Sequence, residues 1–140
     1  GLEAIAEVDM TRLGGTKRNG DVDVLAWRPA DGRVFAIECK RLRADRTVGE
    51  IAERLSEYSP RSAEGAKRGP TVKHTDRIAV LRDHLEDLAK VTRLEAGDVS
   101  LVSALVTSSL VPMQFNAALR QAFDVITSVA DLSPFVASRR

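Results

Sequence analysis

The sequence contains one cysteine, Cys39, among its 140 residues. A single cysteine excludes an internal disulfide and a zinc site built from several cysteines, and it is typical of a reducing compartment. The apolar runs are much shorter than a membrane span requires, and the N-terminus has no basic segment followed by an apolar signal core. We therefore expect a cytoplasmic protein.

Aromatic side chains make up only 4% of the sequence, which excludes a platform for stacking nucleic-acid bases. We expect Trp27 and Tyr58 to be packing residues. The sequence also has no glycine-rich phosphate loop, no Ser/His/Asp arrangement and no zinc-ligand spacing. Its net charge of +1 excludes a uniformly basic nucleic-acid coat protein.

The composition that remains is that of a globular protein, with 44% hydrophobic and 29% charged residues. The length is sufficient for one buried core, so we expect residues 1–140 to form a single domain. Because the sequence opens at Gly1 and not at methionine, we expect a fragment of a longer protein with other domains.

The first forty residues contain three segments with strand signals. Apolar and acidic residues alternate from Ala6 to Met10, and strand formers fill Asp21–Arg28 and Val34–Lys40. Turn-forming segments separate these runs, at Gly14–Gly20 and Pro29–Gly32. The pattern predicts a three-stranded meander.

After Lys40 the periodicity becomes helical. Thr47 and Glu50 form a capping box at the start of a helix that ends before Pro60. The pattern then predicts a loop over 61–70, a long helix over 72–91, a central strand over 99–106, a short helix over 116–122, a strand over 124–127 and a last helical turn over 132–137. The fold class is therefore α/β, with a mixed sheet of four or five strands and helices on both faces.

Two carboxylates and an amine occupy neighbouring strands of the predicted meander. Asp23 lies in the second strand, and Glu38-Cys39-Lys40 ends the third. Alternation places Glu38 and Lys40 on one face and Cys39 on the other, where we expect it to pack as a small hydrophobe. Paired carboxylates suit Mg²⁺, and a lysine beside the ion can hold a water or balance charge on phosphorus.

At these residues the sequence resembles the PD-(D/E)XK nuclease superfamily, which has the restriction-endonuclease-like fold. The segments that resemble it are Gly20–Ala26 and Phe35–Lys40, and more loosely Lys73–Arg77, which is similar to a Lys-His-x-x-Arg segment of uncharacterised bacterial members. The resemblance implies a DNA endonuclease dependent on Mg²⁺, with Mn²⁺ as a substitute. It makes Asp23, Glu38 and the Cys39 carbonyl metal ligands, and Lys40 the residue that serves the nucleophilic water.

Positive charge is concentrated after this motif. Residues 40–82 carry eleven Lys and Arg against six Asp and Glu, a net charge of +5, whereas the rest of the chain has a net charge of −4. The residues we predict to contact DNA phosphates are Arg41, Arg43, Arg46, Lys73, His74 and Arg77. Arg54, Arg61, Lys67 and Arg68 are as readily explained by a solvated helix face. For His74, a solvated position at a helix start is favoured over the role of a catalytic base.

Other interpretations remain open. Asp23, Glu38 and Lys40 can form a surface ion-pair cluster at a strand end. Alternatively, the chain is a catalytically silent nuclease-like domain that binds DNA or forms a homodimer, or it is a structural interaction domain whose function does not involve these residues. We favour the endonuclease, in a DNA-processing or defence protein, because Glu38 follows four apolar residues and a carboxylate at a core edge needs a partner or a metal.

Overall fold

The computed structural model describes residues 1–61 and 67–137. Within these ranges the strands are β1 (Glu3–Asp9), β2 (Asp21–Arg28), β3 (Arg33–Lys40), β4 (Ser100–Thr107) and β5 (Val125–Ser128). They form one sheet in the order β1-β2-β3-β4-β5. β1–β2 and β2–β3 are antiparallel and β4–β5 is parallel, so the sheet is mixed, as predicted.

Helices flank this sheet, and the architecture is α/β. Over the described residues the α-helices are α1 (Val48–Glu57), α2 (Pro70–Asp83), α3 (Leu85–Thr92), α4 (Ala117–Ala122) and α5 (Val129–Ala137). The predicted capping box is confirmed at the start of α1. Thr47 Oγ1 accepts a hydrogen bond from Glu50 N at 3.2 Å, and Glu50 Oε2 accepts one from Thr47 N at 3.0 Å.

The prediction of one long helix over 72–91 is wrong, because the chain leaves the helical conformation at His84 (φ −125°, ψ 46°). The His84 side chain lies directly against the Gly14 backbone, where a Cβ atom would come within 2.3 Å of His84 Cγ. A contact between distant parts of the sequence accompanies the break. No proline or glycine marks this position in the sequence.

The first hairpin is confirmed, with different bounds. β1 extends from Glu3 to Asp9 and not from Ala6 to Met10. The connection to β2 contains two 3₁₀ helices, over Met10–Leu13 and Lys17–Asn19, in place of a simple turn. The predicted loop over 61–70 lies partly outside the described residues, and its last residue begins α2.

The chain divides into two compact units. Unit 1 comprises Gly1–Glu38 and Lys73–Ser103, and unit 2 comprises Cys39–Val72 and Ala104–Arg140. The core of unit 1 includes Leu25 and Trp27 of β2 with Ile78 and Leu81 of α2. The core of unit 2 includes Tyr58, Leu105, Met113, Leu119 and Phe123. The burial of Trp27 and Tyr58 confirms that both are packing residues.

Candidate functional site

Asp23 and Glu38 occupy equivalent positions on neighbouring strands of unit 1. The pairing of β2 with β3 ends at Val24 opposite Ile37, and the two acidic residues come next on each strand. Residues opposite each other in an antiparallel pair project from the same face of the sheet. The two carboxylates therefore share a face at the place where this pairing ends.

Glu38 is a buried carboxylate with a cationic partner. Only 3% of the residue is exposed. Its Oε2 atom accepts a hydrogen bond from Arg77 Nη1 at 2.7 Å and lies 3.8 Å from His74 Nδ1. A carboxylate removed from water is stable only when a cation or hydrogen-bond donors replace the lost hydration, and Arg77 supplies the cation here.

The helix α2 brings these partners to Glu38 because its inward face is polar at one end and apolar at the other. This inward face begins at His74. It continues three, four and seven positions later with Arg77, Ile78 and Leu81, which is the spacing of one helical face. All four are buried. The apolar half packs in the core of unit 1, and this packing fixes the polar half beside Glu38.

His74 also contacts Ser103, the last residue of unit 1. His74 Nε2 and Ser103 Oγ are hydrogen-bonded at 2.9 Å, and each residue is only 2% exposed. The prediction that His74 is solvated is therefore wrong. Sequence reasoning also missed Ser103, whose signal is a polar residue in the interior of β4, where the other residues from 101 to 106 are apolar.

Ser103 contacts His74, and His74 lies beside Glu38, so the three side chains are arranged as serine, histidine and acid are in a serine-hydrolase triad. Two observations argue against that chemistry. A substrate cannot reach a serine that is 2% exposed, and the 3.8 Å between His74 Nδ1 and Glu38 Oε2 is too long for a hydrogen bond. We interpret this cluster as the support that orients Glu38.

The remaining residues of the sequence motif are more accessible than Glu38. Asp23 and Lys40 are half-buried, and Lys40 ends β3 two residues after Glu38. The expectation that Cys39 packs as a small hydrophobe is wrong, because its side chain is exposed. The reason is its position near the end of the strand, beyond the buried run Val34–Glu38.

Glu7 lies in β1, the strand that neighbours β2 on the side away from β3. Ala6 pairs with Val24 and Val8 pairs with Val22, but Glu7 between them is not paired in the β1–β2 register. Glu7 has a positive φ of 52°. A positive φ is uncommon for a residue with a side chain and marks a local distortion of the strand. Glu7 is exposed.

The basic residues proposed to contact DNA occupy two kinds of position. Arg41, Arg43 and Arg46 are exposed in the segment that joins β3 to α1, and Lys73 is exposed on α2. Their place on the surface is compatible with phosphate contact. His74 and Arg77, in contrast, are buried at Glu38, so the geometry assigns them to the carboxylate and not to an external phosphate.

Arg54 is half-buried and does not lie on a solvated helix face. Its guanidinium group instead anchors the segment between β3 and α1. Its Nε contacts both carboxylate oxygens of Asp45, at 2.8 and 2.9 Å, and its Nη2 donates to the Arg43 carbonyl at 3.3 Å. The hydrogen bond to Asp45 raises the pKa of Arg54, although burial acts in the opposite direction. The anchored segment and α1 border a cleft of about 800 Å³ in unit 2.

The donor set restricts which metal the site could hold. No group of three or more His, Cys, Asp or Glu side chains suited to a metal ion occurs within residues 1–61 and 67–137. Asp23 and Glu38 are two oxygen donors on one face, which fits Mg²⁺ because this ion keeps several waters and takes one or two protein carboxylates.

The fold and this site define an α/β protein with an open mixed sheet and a buried polar cluster around one carboxylate. The family model of the anti-phage protein Upx-like matches residues 4–133. The chain therefore belongs to the Upx-like family of anti-phage proteins, which indicates a role in phage defence. Comparison with curated proteins and with solved structures found no match. Among the described residues, no helix is long and apolar enough to cross a membrane.

Proposed function

We propose that this protein is a Mg²⁺-dependent DNA endonuclease that acts in phage defence. The observation that carries the proposal is the placement of Asp23 and Glu38 on one face of the sheet where the β2–β3 pairing ends. Lys40 follows Glu38 by two residues in β3, and side chains two residues apart in a strand share a face. The membership of an anti-phage family supports the biological role.

Each residue of this set has a distinct task in phosphodiester hydrolysis. Asp23 and Glu38 supply the carboxylate oxygens that would hold the cation. A bound Mg²⁺ supplies Lewis-acid activation and a water of lowered pKa. The ammonium group of Lys40 holds the attacking water or balances the negative charge that develops on phosphorus. The cluster of Arg77, His74 and Ser103 fixes the carboxylate of Glu38.

A nucleic acid is the substrate class that the surface charge favours, and we propose DNA. Arg41, Arg43 and Arg46 are exposed within six residues after Lys40. Arginine side chains attract the phosphate backbone without regard to base sequence. Such contacts suit a defence enzyme whose target is foreign DNA of varied sequence.

A catalytically silent, DNA-binding relative is the second candidate. The observation that favours it is the 2.7 Å contact between Arg77 Nη1 and Glu38 Oε2, which already neutralises the carboxylate. In that case Glu38 serves only to stabilise the fold. The two candidates differ in whether DNA is cut when a divalent cation is added.

The decisive experiment is a plasmid-cleavage assay with increasing Mg²⁺ or Mn²⁺. We expect the parental protein to nick or linearise DNA only with the cation, and Asp23→Asn to abolish cleavage because a metal ligand is lost. Asp21→Asn is the matched control, because Asp21 is an exposed acidic residue of the same strand. This substitution removes the same charge as Asp23→Asn. We expect this control to cut at the parental rate.

The same variants connect the chemistry to defence. Cells that express the parental protein or Asp21→Asn should reduce the plating efficiency of a sensitive phage, whereas Asp23→Asn should give no protection. Protection by Asp23→Asn equal to that of the parental protein, together with DNA binding but no cleavage, would establish the silent, DNA-binding candidate instead.

A further inference from the structure

The side chain of Arg77 contacts the same carboxylate, Glu38, that would hold a divalent cation in the proposed site. Its Nη1 atom lies 2.7 Å from Glu38 Oε2, and the arginine is 9% exposed. The same carboxylate is therefore both the candidate metal ligand and one half of a buried ion pair. These two roles compete for the negative charge of Glu38.

The contact between the two side chains uses only part of the guanidinium group. Arg77 Nε is buried and has no hydrogen-bond partner among the described residues. The strongest arginine–carboxylate pairs are bidentate, with two parallel N–H···O bonds. A buried donor left without a partner carries a cost, so the guanidinium is not held at its optimum in this arrangement.

We propose that Arg77 is a resident counter-cation at Glu38 that a divalent metal ion must compete with, so that this arginine sets the metal affinity of the site. The inference rests on the proposed function, because it needs Glu38 to be a metal ligand. In the absence of metal, the arginine keeps the buried carboxylate neutralised. When metal binds, the positive charge of Arg77 opposes it.

This role makes a prediction opposite to that of a purely structural arginine. If Arg77 served only to orient Glu38, its replacement would disorder the ligand and weaken metal binding. If Arg77 competes with the metal, removal of its charge strengthens binding, because like charges close together in a buried site repel each other strongly.

The test measures Mn²⁺ affinity by calorimetry and the melting temperature with and without Mn²⁺, and it requires no catalytic activity. We expect Arg77→Gln to melt lower than the parental protein without metal, because Glu38 loses its counter-charge. We expect it to bind Mn²⁺ about tenfold or more tightly, since one like charge has been removed from beside the ion.

Two variants separate charge from shape. Arg77→Lys retains the positive charge at the site and should bind Mn²⁺ close to the parental affinity. Arg82→Gln is the matched control for net charge, because Arg82 is an exposed residue of the same helix. It should leave both the affinity and the melting temperature unchanged.

The outcomes distinguish this inference from the proposed function. If the parental protein binds Mn²⁺ and Arg77→Gln binds it equally or more weakly, the inference is wrong and the metal site stands. If neither protein binds Mn²⁺, both the inference and the proposed function fail. If Arg77→Gln is unfolded without metal, cooperative folding on addition of Mn²⁺ supports the inference. In that case, failure to fold with Mn²⁺, while Arg77→Lys binds the ion normally, overturns it.

Discussion

Two serine hydroxyl groups differ in what they contact. Ser103 Oγ is hydrogen-bonded to His74 Nε2 at 2.9 Å. Ser109 Oγ is buried and has no hydrogen-bond partner within the described residues. Removal of a bonded hydroxyl leaves a buried imidazole without that partner, whereas removal of an unbonded one loses no hydrogen bond.

We therefore expect Ser103→Ala to lower the free energy of unfolding by about 2 kcal/mol, and Ser109→Ala to change it by less than about 0.5 kcal/mol. Urea denaturation of both variants measures the difference. Equal losses from the two substitutions would show that the Ser103–His74 contact does not stabilise unit 1.

The second prediction at this scale concerns Lys40, whose amine the proposed function assigns to chemistry and not to metal binding. Lys40→Ala should retain or slightly increase Mn²⁺ affinity, because a positive charge is removed near the ion. Its cleavage rate should fall by about 10² or more, the usual effect of losing one preorganised electrostatic group. Calorimetry and the plasmid assay on one protein preparation measure both. Parental cleavage by this variant would assign the lysine a structural role.

At the scale of elements, the tight turn between β2 and β3 depends on a glycine. Gly32 has a φ of +67°, and a Cβ atom there would come within 2.0 Å of the Asp98 carbonyl oxygen. Gly20 has a similar φ of +70°, but a Cβ atom there would contact nothing within 4 Å. Substitution of Gly20 therefore tests backbone strain alone, whereas substitution of Gly32 tests backbone strain together with a steric clash.

Gly20→Ala should destabilise the protein by about 1–3 kcal/mol, because Gly20 combines a φ of 70° with a ψ of −141°, a conformation that residues with a side chain rarely adopt. Gly32→Ala should cost at least about 2 kcal/mol more, because the Asp98 backbone must also move. Thermal and urea unfolding measure both values. Equal losses of unfolding free energy in the two variants would mean that the backbone around Asp98 can move without destabilising the protein.

The elements that could be predicted from the sequence are those with local signals. The first strand of the meander follows from alternation, and the second and third follow from their strand-forming residues. The helix α1 follows from the capping box of Thr47 and Glu50. The break at His84 has no local signal because it accompanies packing against Gly14, seventy residues earlier. Sequence patterns do not contain such distant contacts.

The candidate site divides in the same way. Asp23 and Glu38 could be paired from the sequence because a short meander sets their register. The contact of Glu38 with Arg77 spans 39 residues, and that of His74 with Ser103 spans 29. Both depend on where α2 packs, which its spacing of apolar residues alone does not determine.

At the scale of the whole molecule, the two units carry opposite charge. Unit 1 contains ten Lys and Arg against thirteen Asp and Glu, a net charge of −3, and unit 2 contains eleven against seven, a net charge of +4. An anionic polymer is attracted by unit 2 and repelled by unit 1. The overall charge of +1 conceals this difference.

The salt dependence of DNA binding tests which unit makes the phosphate contacts. Replacement of Arg41, Arg43 and Arg46 by Gln should weaken binding and reduce the slope of log affinity against log salt by about 2 to 3. The matched control replaces three exposed arginines of unit 1, Arg12, Arg18 and Arg82, and should leave the slope unchanged. A reduced slope in the control alone would assign DNA contact to unit 1.

The discontinuity of unit 1 along the chain has a consequence for protein synthesis. The ribosome completes Glu38 before it makes Arg77, which is 39 residues further on. At a synthesis rate of about 5–20 residues per second, roughly 2–8 s pass between the synthesis of Glu38 and that of Arg77 in α2. During that interval Glu38 lacks the arginine and the histidine that lie beside it in the folded protein. Unit 1 therefore closes around this carboxylate only after α2 has been translated.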